Sequence, residues 1–165
     1  MNGFYTTLRG LLAQEKDLYA EAVGVSQAKK EAVSKGQVAE LDGIVRAEQG
    51  LVIRLQTAER RRLDCLGDYA ALTGRGTGDV TLAEMVESAP ESERVSLAQL
   101  HEELRTLLES LLALNQENRL LVESRLQYTQ YMLSVLTDND SSNNYAAPGS
   151  EQQREPTPNL MDFTV

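Results

Sequence analysis

Chemistry in this chain would have to come from few residues: one histidine, one cysteine, a run of arginines, scattered glutamate pairs and one glycine-rich segment. His101 is followed by Glu102 and Glu103, carboxylates able to shift an imidazole, but no second His or Cys stands at metal-ligand spacing. It reads as a surface histidine. Cys65 falls in a series with Ile44, Leu51, Ala58 and Leu72 at seven-residue steps, the place of a small buried apolar residue rather than a reactive thiol. A lone cysteine forms no internal disulfide, which points to a reducing compartment. Arg60-Arg61-Arg62 reads as a solvated helix face, and the nearby Glu48, Glu59 and Arg62 as flanking positions with extended stems rather than buried charges. Residues 73–78 hold three glycines but neither the lysine nor the flanking strand of a phosphate-binding loop, so they form a flexible connector. No nucleophile–base pair or cofactor motif emerges. The expectation is no catalytic, cofactor or metal residue, and no enzyme.

The elements behind these residues are helices. Between residues 97 and 136 the apolar side chains recur at three- and four-residue steps for about eleven turns. Leu97, Leu100, Leu104, Leu107, Leu111, Leu114, Leu121, Tyr128, Met132 and Val135 fall on one stripe, which only an amphipathic helix can use. A first helix is expected over residues 3–34, with Phe4, Leu8, Leu11, Leu12, Leu18, Tyr19, Ala22, Val25 and Ala32 on its apolar face. Gly36 suits a left-handed stop, and the short turn makes a second helix, 38–72, antiparallel to the first. Val38, Leu41, Ile44, Val45, Leu51, Val52, Leu55, Cys65, Leu66 and Tyr69 carry its stripe. Thr81 with Glu84 is a capping-box pair opening a short helix, 81–87, with Leu82, Met85 and Val86 turned inward. Pro90 then starts the third long helix, 91–137.

The fold class is therefore all-α: an elongated antiparallel bundle or coiled coil of three long helices and one short one, residues 1–137, with a tail over 138–165. At 165 residues, with two Phe and no Trp, the chain suits helix seams of Leu, Val and Ala. A net charge of −9 disfavours nucleic acid and anionic membrane surfaces as partners. No run of eighteen apolar residues and no basic, apolar N-terminus is present, so the expected location is cytoplasmic, without membrane insertion.

Helix lengths carry the first functional hint. At 1.5 Å per residue the three long helices span roughly 48, 52 and 70 Å, so about ten residues of the last should lack intramolecular partners. The C-terminal end is expected to be that stretch, leaving Tyr128, Tyr131, Met132, Leu133, Val135 and Leu136 as a docking surface. Asp138 to Asn144 are expected to end the helix. The Pro-, Ser- and Gln-rich tail that follows cannot bury enough apolar area to order itself. Tyr145 and the terminal Leu160, Met161, Phe163 and Val165 stand out in it as elements that could order on a partner.

Leu114-Asn115-Gln116-Glu117-Asn118-Arg119-Leu120-Leu121-Val122-Glu123 resembles the Leu-Asn-x-x-Asn-x-x-Leu-Leu signature in the last long helix of the FlgN family of flagellar type III export chaperones. The stretch from Leu12 to Tyr19 and that from Gly36 to Glu48 are similar to the family's first helix and first turn. Tyr145-Ala146-Ala147-Pro148-Gly149 looks like its Tyr-Gly-x-x-Gly tail element, with Ala146 replacing the first glycine. The resemblance implies a cytoplasmic chaperone that binds the C-terminal helical regions of the hook–filament junction proteins, FlgK and FlgL. It implies further that these are kept from premature assembly and delivered to the cytoplasmic domain of the export gate protein, FlhA, with Tyr145 at the docking position. Leu114, Asn118, Leu121, Arg125, Leu126, Tyr128, Met132, Val135 and Leu136 are then the expected cargo-binding residues, with Asn118 and Arg125 setting register. The alternative is a non-enzymatic coiled-coil adaptor or structural protein that homo-oligomerises through the same stripe, and a homodimer without cargo fits either reading.

Overall fold

The computed structural model describes residues 2–76, 78 and 80–142. They form four helices: α1 (Asn2–Lys35), α2 (Val38–Thr73), α3 (Leu82–Glu87) and α4 (Glu91–Ser142), with no strand among the described residues. The chain divides into two compact units, one reaching Gln127 and one beginning at Tyr128.

Local chemistry sets most of the helix ends. Gly36 has φ = +69°, a conformation that costs glycine little, and the Gln37 amide donates back to the Ala32 carbonyl at 2.9 Å. Gly74 repeats the device at φ = +68°, with the Arg75 amide on the Ala70 carbonyl at 2.9 Å. The capping box is present: the Glu84 amide donates to Thr81 Oγ1 at 3.3 Å and the Thr81 amide to Glu84 Oε2 at 3.1 Å. Thr81 itself is the cap, so α3 begins one residue later than expected. Pro90 sits just ahead of α4, its carbonyl accepting from the Glu93 and Arg94 amides.

One boundary differs from expectation. α4 runs to Ser142, five residues past Thr137, since Asp, Asn and Ser have middling helix propensity and cost a continuing helix little. Tyr145, Leu160, Met161, Phe163 and Val165 lie outside the described residues.

Within the first unit, side-chain pairs fix the directions of the helices. Glu15 meets Arg62, Glu21 meets Arg54 and Lys29 meets Glu48, so α2 runs back along α1. Arg9 meets Glu93, Lys16 meets Glu103 and Lys30 meets Glu117, so α4 runs in the same direction as α1. One core gathers Tyr5, Leu8, Leu12, Cys65, Leu66, Met85, Leu97 and Leu104, with α3 contributing Met85 and Val86. A second holds Leu18, Ala22, Leu51 and Ala58, with Val25, Leu55 and Leu111 packed on it. Burying a leucine such as Leu8 or Leu97 completely stabilises by about 1.5–3 kcal/mol. Cys65 is buried as its seven-residue series requires, and burial pushes its thiol pKa up. Val38 and Leu72, placed on the apolar stripe by their spacing, are 76% and 77% exposed because each sits in a terminal turn of α2.

Candidate partner-binding site

α4 positions most of the residues expected to hold a partner, and it treats them unequally. In the first unit Leu114 and Leu121 are half-buried, Leu126 is 57% exposed, and Arg125 donates to the Ser34 carbonyl at the end of α1. Asn118 is withdrawn altogether. It is buried, and its amide donates to the Ser26 carbonyl at 2.8 Å and to Ser26 Oγ at 2.9 Å. Ser26 Oγ in turn donates to Asn115 Oδ1 at 3.1 Å. The expectation that Asn118 offers a surface contact is corrected: a stripe read on one helix does not say which neighbour meets each position, and here α1 meets it.

The second unit carries the exposed set. Tyr128, Met132, Val135 and Leu136 are exposed, together with Tyr131 and Leu133. Residues 128–137 contain no charged side chain. Two of their hydroxyls are occupied locally, Ser134 Oγ donating to the Tyr131 carbonyl at 2.8 Å and Thr137 Oγ1 to the Leu133 carbonyl at 3.0 Å. The polar atoms of these two side chains are thereby turned onto the helix itself. On a 100° wheel Tyr128, Met132 and Val135 share one side, with Leu136 beside Met132 and Tyr131 and Leu133 at the two margins. What this surface can do is bury apolar area against another helix. Tyr131 and Leu133 belong to the docking surface expected from helix lengths, and no charge lies between Arg125 and Asp138.

Titratable groups collect elsewhere, in a cleft of about 210 Å³ lined by Glu15, Tyr19, Arg62, Leu82, His101, Leu104, Arg105 and Leu108. Its charges are matched. Arg62 Nε donates to both oxygens of Glu15 at 3.0 Å, and Arg105 binds Glu102 and Glu109. Arg62 was expected on a solvated face, yet only Arg60 and Arg61 of that run are exposed. Burial drives the Glu15 carboxyl above its ordinary pKa although Arg62 opposes it. Glu102 and Glu103 are held below theirs by hydrogen bonds, from Arg105 to the first and from Gln99 and Lys16 to the second. Among the described residues no cluster of His, Cys, Asp and Glu could hold a metal ion, and no helix is long and apolar enough to cross a membrane.

Among the described residues the fold is all-helical, and the uncharged run of exposed apolar side chains at residues 128–137 is the kind of surface on which another helix can pack. Residues 1–153 match the family model described as FlgN protein, and the chain belongs to the FlgN family of flagellar export chaperones. It is similar to the uncharacterized protein YvyG of Bacillus subtilis (strain 168), at 25% identity over 129 residues, 78% of each chain. No solved structure matches it.

Proposed function

We propose that this protein acts in the cytoplasm on the hook–filament junction proteins FlgK and FlgL, shielding their C-terminal helical regions until it delivers them to the export gate protein FlhA. The observation that carries this reading is the uncharged, exposed stretch at residues 128–137 in a chain of the FlgN family. Axial filament proteins have amphipathic terminal helices that lack partners until they polymerise. An uncharged helical face substitutes for the missing partner, and ~600–800 Å² of buried surface per side suffices for a specific yet releasable complex. Tyr128, Met132, Val135 and Leu136 are the proposed cargo contacts, with Leu114, Leu121, Arg125 and Leu126 as the proposed contacts in the first unit. Tyr145 is the proposed contact to the gate, and Leu160, Met161, Phe163 and Val165 are proposed tail contacts.

Paired titrations test both halves. Met132→Asp with Leu136→Asp is expected to weaken binding of a FlgK C-terminal fragment at least about tenfold, since each aspartate would enter an apolar interface. The circular dichroism of that variant should match wild type. Unchanged cargo affinity would remove residues 128–137 from the site. Tyr145→Ala should bind cargo normally and lose up to about a hundredfold in affinity for the cytoplasmic domain of FlhA, the effect of unburying one aromatic ring. Loss of cargo binding with gate binding preserved would reverse the two assignments. If sedimentation instead showed a dimer broken by Met132→Asp, with no cargo bound by wild type, the oligomerising adaptor would be the right reading.

A further inference from the structure

We propose that Asn118 and Ser26 form a register key that fixes how far α4 is slid along α1. Two rows of residues spaced by sevens run along the facing sides of these helices. On α1 they are Tyr5, Leu12, Tyr19, Ser26 and Val33; on α4, Leu97, Leu104, Leu111, Asn118 and Arg125. Tyr5, Leu12, Leu97 and Leu104 share one core, and Asn118 is bonded to Ser26, so the rows meet. Sliding one row past the other by seven residues would still set apolar side chains against apolar ones in the half of the rows around Leu104. Hydrophobic burial is non-directional and discriminates poorly between such registers.

The polar pair removes that degeneracy. In the observed register the Asn118 amide uses both hydrogens on Ser26, one on its carbonyl and one on its hydroxyl, while the hydroxyl proton goes to Asn115. A slip of seven residues would set Asn118 against Tyr19 in one direction and Val33 in the other, and would leave Ser26 opposite Arg125 or Leu111. Asn118 and Ser26 are 2% and 1% exposed, so water would not make up the loss. The key is not optimised for stability, since Asn118 Oδ1 is buried without a hydrogen-bond partner. A polar side chain that selects register while costing stability is established physics in helix seams. At the other end of the bundle Tyr5 Oη donates to the Ser88 carbonyl at 3.2 Å. That tie lies roughly 30 Å of helix from Ser26; the ion pairs nearer to it, Lys16–Glu103 and Lys30–Glu117, are partly exposed and hold register only weakly.

Nitroxide labels at the exposed positions Gln27 and Arg119, on a Cys65→Ala background, report the register through their separation. The parent is expected to give one distance. Asn118→Leu is expected to give a second population, displaced axially by about 10 Å for a seven-residue slip. Its thermal midpoint should equal or exceed the parent's, an outcome that a purely stabilising role for Asn118 would not produce. Exchanging the side chains, Ser26→Asn with Asn118→Ser, is expected to restore the single distance. One unshifted distance in Asn118→Leu, or two in the exchanged variant, would overturn the proposal.

Discussion

Residues 97–121 and residues 128–137 of α4 share the same three- and four-residue apolar period and end in opposite surroundings. Leu97 is 0% and Leu104 5% exposed, whereas Tyr128 and Leu136 are 59% and 61% exposed. Their remaining positions differ as well. The first stretch carries Glu102, Glu103, Arg105, Glu109, Glu117 and Arg119; the second carries no charge. Period reports that a helix has an apolar face, and it is silent on what covers that face. A charged remainder marks a helix already solvated on its far side, and an uncharged one marks surface left for something else.

Truncating a leucine in each stretch would break this contrast most sharply. Leu97→Ala is expected to cost about 2–5 kcal/mol, the sum of lost burial and a residual cavity. Leu136→Ala should change stability by less than about 0.5 kcal/mol, as at an exposed site. Urea denaturation of the two variants decides, and equal losses would mean that the second stretch is packed rather than displayed.

A smaller effect sharpens the picture of the first unit. Glu15 is 4% exposed and paired with Arg62, yet burial prevails and its carboxyl pKa is raised. The folded chain therefore takes up a proton more readily than the unfolded one, and the Glu15 contribution to stability declines as pH rises through that window. Glu15→Gln, which imitates the protonated carboxyl, is expected to be at least as stable as wild type at neutral pH. The two should converge as pH falls below the ordinary carboxylate range. Thermal midpoints measured over about pH 3 to 7 test this. A variant less stable at neutral pH, with the gap closing on acidification, would show that Arg62 outweighs burial.

Much of the fold was legible because its signals are local. Gly36, Gly74 and the Thr81–Glu84 pair act within four or five residues, so their chemistry can be read without knowing the neighbours. The pairing of Glu15 with Arg62 was not legible. The two lie 47 residues apart, and a periodic pattern counts both simply as polar. Asn118 was misread for the same reason: its place on the stripe was plain, but Ser26, the residue that absorbs it, looks like any other serine until α1 and α4 are set side by side. The uncharged stretch of α4 lay open in the sequence, while the identity of what binds it belongs to the partner's chemistry.

The polar ties between helices also imply an order in time. Those joining α1 to α2 close intervals of 19, 33 and 47 residues, whereas those joining α1 to α4 close intervals of 84 to 92. The longer closure costs roughly 1 kcal/mol more chain entropy, and contacts of greater sequence separation form later. We infer that the α1–α2 hairpin assembles first, that α4 closes over it last, and that on partial opening α4 leaves first. Deuterium exchange would then reach amides of α4 at residues 97–121 before the facing turns of α1 and α2, whereas equal protection would mean that the three helices part together.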